Sequence, residues 1–175
     1  MTLKDFLNEL GLEESGYDYY YKKDDPHYLT FQLSGDIYAI EIENIEEVIE
    51  VGKIVKSDNK KKYMKGLIAY KKTMVDLIDL RLKLGMKEKK YDYKTTIIIT
   101  SINEKILGLI VDNVIEITGI PHKDIKFNNA ENILSCKGSF VKGIAHNGKE
   151  NKKILDINKI FYCDQYNILR HNIAE

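Results

Sequence analysis

Four histidines, two cysteines, a few serines and some close carboxylates are the residues here that could carry a reaction, and their spacing argues against one. His27, His122, His146 and His171 are scattered, and none has a second ligand at i+3 or i+4, as a helical zinc site needs. Cys136 precedes His146 by ten residues, which is no catalytic signature, and a partly buried thiol is the better reading. Ser101, Ser135 and Ser139 stand in no G-x-S-x-G turn. Neither G-x-G-x-x-G nor G-x-x-x-x-G-K-[ST] occurs, so phosphate binding by those loops is unsupported. Asp76 and Asp79 could act as paired carboxylates. Three apart on a strand, they point to opposite faces, so turn duty for Asp76 and capping by Asp79 are favoured. Lys60, Lys61, Lys62, Lys65, Lys71 and Lys72 form a basic patch that could meet phosphates. With no net charge on the chain, a solvated loop face or a docking site for an acidic protein is the better reading.

Short β-elements must position these residues. The stretch from Met64 to Leu84, MKGLIAYKKTMVDLIDLRLKL, sets the pattern. Its two apolar runs, Gly66 to Ala69 and Val75 to Leu80, are split by Lys71-Lys72-Thr73. Such runs predict two antiparallel strands joined by a tight hairpin. Asp79 can then cap a helical turn, and Gly85 can close it.

The pattern returns downstream. Lys142-Gly143-Ile144-Ala145 echoes Lys65-Gly66-Leu67-Ile68, and Ile154-Leu155-Asp156-Ile157 echoes Leu77-Ile78-Asp79-Leu80, both displaced by 77 positions. Val111-Asp112-Asn113-Val114 with Glu116 matches Ile42-Glu43-Asn44-Ile45 with Glu47 at a displacement of 69. The same order of elements twice implies a duplicated small β unit. Strands this short need closure or a packed partner, so two barrels of about five strands each are expected. Side by side, they would leave an apolar groove at their junction, a common kind of binding site.

A chain of 175 residues fits one domain, or two small ones sharing a core. Its 27 Lys and Arg balance 27 Asp and Glu, so no global field points to nucleic acid. Cys136 and Cys163 form no CxxC and read as reduced thiols in a cytosolic protein, with a single disulfide as the alternative. No apolar run approaches the ~20 residues of a membrane span, and no signal peptide opens the chain. A soluble, intracellular protein is expected.

Taken in order, Leu3, Phe6, Leu7 and Leu10 have helical spacing behind Thr2. Tyr17, Tyr19, Tyr20 and Tyr21 follow in a mixed-charge linker. Tyr28 to Leu33, Ser34-Gly35-Asp36 and Ile37 to Ile42 read as strand, turn and strand. Glu43 to Val51 reads as one helical turn and a strand, with Gly52 to Lys56 continuing extended. Met86 to Lys94 connects the halves, and Thr95 to Thr100 and Ile106 to Val111 form the next hairpin. Gly119 to Phe127 reads as a loop, and Ile157, Ile160, Phe161, Ile168 and Leu169 have the spacing of a terminal helix broken near Asp164.

Several of these segments together resemble the CheW-like family of chemotaxis coupling proteins. They are Tyr38-Ala39-Ile40-Glu41-Ile42, Ile45 with Glu47-Val48, Lys65-Gly66-Leu67-Ile68, Leu77-Ile78-Asp79-Leu80-Arg81 and Gly108-Leu109-Ile110-Val111-Asp112-Asn113-Val114. The resemblance covers about Tyr28 to Tyr162. It implies a mainly β fold of two SH3-like five-stranded barrels with short helices and a C-terminal helix. The expected organisation is an extension over 1–27, a coupling domain over 28–162 and a tail over 157–175, with barrels at about 28–90 and 91–156.

The resemblance implies a non-enzymatic, cytoplasmic adaptor without cofactors, recruited to membrane-bound or soluble receptor arrays. Its partners would be the regulatory domain of a CheA-type histidine kinase and the cytoplasmic tip of a chemoreceptor, without nucleic acid or membrane insertion. The family's receptor contacts map onto Ile45, Glu47 and Lys71, though core burial is an equal reading for Ile45. The kinase face maps onto Val51, Lys53 and Ile54. Lys71-Lys72 stand where the family has Arg-Gly, and Asp76 stands at an expected proline. The alternatives are a divergent scaffold for another signalling array and a small-barrel nucleic-acid module.

Overall fold

The computed structural model describes residues 25–59, 61–128, 140–147 and 150–163. The segment from Thr2 to Leu12, the tyrosine cluster before Asp24, Cys136 and the chain from Asp164 lie outside them.

Strands β1 (His27–Leu33) and β2 (Asp36–Glu41) are joined by Ser34 and Gly35, whose φ angles are 52° and 92°. This is the primed turn whose twist matches that of paired strands. A 3₁₀ turn over Ile42–Asn44 leads into β3 (Ile45–Glu50), as the acidic run predicts. Strands β4 (Met64–Tyr70) and β5 (Thr73–Asp79) form the expected hairpin, and α1 (Leu80–Lys83) follows at once. Asp79 accepts a hydrogen bond from the Arg81 amide at 3.0 Å, so the predicted cap is in place.

Next come β6 (Thr96–Ile102), β7 (Lys105–Val111), β8 (Asn113–Gly119) and a 3₁₀ turn over His122–Asp124. The described chain ends with β9 (Ile125–Phe127), β10 (Val141–Asn147), β11 (Glu150–Leu155) and a helix, α2, seen over residues 157–163. Gly119 to Phe127, read from sequence as a loop, therefore contains a strand. Three residues are too few to show an alternating pattern.

The strands form two sheets, ordered β3-β6-β7-β5-β4 and β8-β1-β2-β11-β10-β9. Beyond β3 the chain runs on to Val55, which bridges Leu67 on the free edge of β4. Two backbone bonds of 2.8 Å make this bridge and close the five-stranded sheet into a barrel. β9 closes the six-stranded sheet in the same way, pairing with β10 at the far edge. The mainly β architecture of two barrels agrees with the reading from sequence.

The division of the chain between them does not. Instead of splitting into 28–90 and 91–156, each half lends its first hairpin to the other. β1 and β2 pair with β8 and β11, while β6 and β7 pair with β3 and β5. Local pattern sets which face of a strand is buried, but not which edge it joins.

The duplication is visible in the pairing register. Leu77 lies opposite Gly108 in the parallel pair β5–β7, and Ile154 opposite Ala39 in the parallel pair β11–β2. These are the equivalent positions that the sequence displacements imply. Bulges repeat as well, at Glu46 and Ile115 and again at Lys65 and Lys142.

Each barrel encloses a small apolar interior, built around Leu77, Ile97 and Ile110 in one and Tyr28, Ala39 and Ile154 in the other. The largest core lies between them. Leu29, Phe31 and Ile40 meet Val48, Ile98 and Leu109 there, and Ile157, Ile160 and Phe161 of α2 complete it. The apolar groove expected at the junction is thus largely filled. Burying two apolar outer faces against each other gains roughly 25 cal/mol per Å², which favours a packed seam over an open one. A cleft of about 460 Å³ remains between Tyr38, Leu84, Phe140 and Ile144.

Candidate docking surfaces

The residues that could do chemistry stay apart. His27 sits against Gly119, His122 tilts onto Phe127 at 5.9 Å, and His146 meets Asn151 at 2.8 Å. Burial lowers the pKa of His27, with Asp25 opposing the shift. Cys163 is buried. Asp76 is exposed while Asp79 is fully buried, so the two carboxylates face opposite ways as strand geometry requires. Among the described residues no group of three or more His, Cys, Asp or Glu is placed to hold a metal ion.

The densest polar cluster is structural. Arg81 is fully buried and donates to both carboxylate oxygens of Asp79 at 3.2 Å and to Asp112 Oδ1 at 2.5 Å. Asp112 Oδ2 accepts from the Ser34 amide at 2.7 Å. The Tyr91 hydroxyl donates to Asp79 Oδ2 at 3.1 Å, and the guanidinium lies 5.6 Å from the Tyr91 ring centre. Burial works against the charge of Arg81, but Asp79 and Asp112 outweigh it and raise the pKa. Burial, Asp79 and the bond to it push the Tyr91 hydroxyl well above the usual tyrosine range. With Asp79 and Arg81 sealed from solvent, the cluster has no face for a substrate. Reading Asp79 only as a cap missed it. The available signal was an Arg amid Leu residues and an Asp ending the apolar strand Ile106 to Val111.

Two of the three residues expected at the receptor surface converge. Lys71 occupies the β4–β5 turn with a φ of 51°, and its Nζ lies 3.4 Å from Glu46 Oε2 and 4.8 Å from the Tyr70 ring centre. Burial raises the Tyr70 pKa, with Lys71 opposing and Glu47 assisting, and among the described residues the buried hydroxyl itself has no hydrogen-bond partner. Tyr70 in turn raises the pKa of Lys71. The bulge at Glu46 turns that side chain outward while Ile45, 9 % exposed, enters the central core. Of its two sequence readings, Ile45 shows burial, in the core between the barrels, whereas Tyr70 packs in the interior of the five-stranded one.

The residues expected at the kinase face lie at one mouth of the five-stranded barrel. Val51 and Ile54 are half-buried against its interior, while Lys53 is exposed. Val55 beside them is 46 % exposed. Ile54 lines a cleft of about 390 Å³ that reaches Tyr91.

The dense ionic cluster is sealed, and the candidate binding residues stand on the surface of the five-stranded barrel. The comparisons name the family. The CheW-like domain matches residues 27–164, and the chain belongs to that family. It is a chemotaxis adaptor coupling receptors to the CheA kinase. The chemotaxis protein CheW of Klebsiella aerogenes is 22 % identical over 148 residues, covering 85 % of this chain and 88 % of its own length. That of Helicobacter pylori is 27 % identical over 133 residues, covering 76 % and 78 %. The crystal structure of the scaffolding protein TtCheW from Thermoanaerobacter tengcongensis superposes with a TM-score of 0.68 at 25 % identity, covering 75 % of this chain and 89 % of that one.

Proposed function

We propose that the chain couples its partners in the cytoplasm without catalysing a reaction, through two separate surfaces of the five-stranded barrel. Glu47 and Lys71, with Ile45 buried in the same strand as Glu47, take the cytoplasmic tip of a chemoreceptor. Val51, Lys53 and Ile54 take the regulatory domain of a CheA-type kinase. Residues 28–162 form the coupling domain, flanked by the extension 1–27 and the tail 157–175.

The observation that supports this reading is the gathering of Glu46 and Lys71 beside Tyr70, with Glu47 acting on the same tyrosine, while Ile54 lines a cleft that none of these residues lines. Carboxylates beside a cation and an aromatic ring suit an amphipathic helical hairpin. Among the described residues, no helix is long and apolar enough to cross a membrane. The reading is tested by titrating the chain separately with the kinase regulatory domain and with a receptor-tip fragment of the same organism. Ile54→Asp is expected to lose the first complex and keep the second. Loss of both, or of neither, in a folded variant would refute the separation.

A further inference from the structure

We propose that the cleft between Ile54 and Tyr91 receives an acidic segment bearing one apolar side chain, presented by the kinase-side partner. The proposal rests on the reading that residues 51–54 face that partner.

The cleft holds about 390 Å³, room for a side chain and its neighbours rather than for a helix. Its rim carries Lys56, Lys65, Lys89 and Lys90 with one acid, Glu88. Lys65 pairs with Glu88 at 2.5 Å, and Lys89 lies 3.4 Å from Asp92. Lys56 and Lys90 meet no acid among the described residues. The rim therefore keeps positive charge that no acid among the described residues pairs with.

The surrounding sequence strengthens that field. Residues 51–100 hold thirteen Lys and one Arg against five Asp and Glu, whereas residues 1–50 hold three Lys against thirteen acids. A chain with no net charge thus gathers its cations in the segment that builds this mouth. Such a field steers acidic partners and rejects basic ones.

The back wall is set in advance. Tyr91 is held by its bond to Asp79 at 3.1 Å and lies beside the Arg81 guanidinium, and both partners are fully buried. A wall already ordered reduces the entropy lost on binding. Ile54 and Tyr91 both pack against the barrel interior while facing the cleft, so an aliphatic side chain between them removes apolar surface from water. Phosphates alone would meet the lysines and leave this apolar pair uncovered, which favours an acidic peptide segment over nucleic acid.

The test is calorimetric titration of the full chain with the kinase regulatory domain of its own organism, at low and at physiological salt. Reversing the rim with Lys89→Glu and Lys90→Glu together is expected to lower affinity roughly tenfold at low salt and to flatten its salt dependence. Lys89→Arg with Lys90→Arg should retain binding. Unchanged affinity and salt slope in the reversed variant, with Ile54→Asp abolishing binding, would overturn the acidic occupant and leave the kinase reading standing. If neither variant weakens the complex, both fail. Random-sequence duplex DNA that binds the wild type and not the reversed variant, while kinase binding is unmoved, would assign the cleft to nucleic acid. A change in the oligomeric state of the reversed chain alone would assign it to a second copy, and would equally overturn the proposal.

Discussion

Arg81 on α1 and Asp112, in the bend before β8, meet at 2.5 Å, and through them the two barrels are tied side chain to side chain. Asp112 belongs equally to the other barrel, since its second oxygen accepts from Ser34 in the β1–β2 turn at 2.7 Å. One buried guanidinium thus answers two carboxylates, with Tyr91 donating to Asp79. A cluster of this kind is costly to desolvate and contributes little net stability, but it is intolerant of losing a member. Its geometry sets how one barrel sits against the other.

Removing the cation should therefore cost more than removing an exposed one. Arg81→Met leaves Asp79 and Asp112 buried without their counter-charge, and a loss of about 3–5 kcal/mol is expected. Asp112→Asn keeps an acceptor for Ser34 and should lose less. Urea unfolding checks both, and an Arg81→Met chain as stable as wild type would contradict the assigned role.

Barrel closure makes a second demand. Gly66 has a φ of 133°, and a Cβ there would lie 2.2 Å from the Val55 carbonyl oxygen. Gly143, its equivalent in the repeat, would bring a Cβ to 3.0 Å from Ile125 Cγ2 and 3.2 Å from the Lys126 carbonyl oxygen. Gly66→Ala must therefore push Val55 off β4 as well as strain the backbone, at a cost of roughly 1–3 kcal/mol or more. Gly143→Ala should cost less. Equal unfolding midpoints for the two variants would count against closure through Val55.

These two glycines also show what was readable from sequence. Lys65-Gly66 and Lys142-Gly143 marked the repeat, and Asp79 marked the helix start, because both are local signals. The exchange of hairpins between halves was not readable, since Ile97-Ile98-Ile99 reads as a buried strand whichever edge it joins. The pairing of Arg81 with Asp112 joins α1 to the bend between β7 and β8, in different repeats, and no spacing rule reaches that far. Glu47 and Lys71 were legible only through the family resemblance. Lys71 reaches Glu46 and Tyr70 only in the folded chain, across 25 residues of sequence from Glu46.

Alkaline titration offers a third check. Tyr28 is fully buried, and among the described residues its hydroxyl has no hydrogen-bond partner. Burial, with Glu41 and Glu43 nearby, pushes its pKa from 10.0 up to about 12. The folded state then holds a proton that the unfolded chain releases near pH 10, so stability present below that pH declines as pH rises towards about 12. Tyr28→Phe should flatten this decline. At neutral pH it should leave stability unchanged or raise it by up to about 1 kcal/mol, because an unpaired buried hydroxyl is removed. Thermal melts across the alkaline range measure both effects.

Lys71 provides the test that separates binding from folding. It is largely exposed in a turn, and its contact with Glu46 at 3.4 Å is open to water. Exposed pairs of this kind add little to stability. Lys71→Glu should therefore leave the urea midpoint where it is, while placing a third acid beside Glu46 and Glu47. A receptor tip that offers carboxylates to this turn would then be repelled, and its affinity should fall roughly tenfold with a weaker salt dependence. Lys71→Arg should retain binding, and the forked guanidinium can strengthen it if the receptor presents a carboxylate in plane. Kinase binding, proposed at Val51, Lys53 and Ile54, should not change in either variant. A receptor fragment that binds Lys71→Glu as tightly as wild type would remove Lys71 from the receptor surface and leave Glu47 as its remaining charged member.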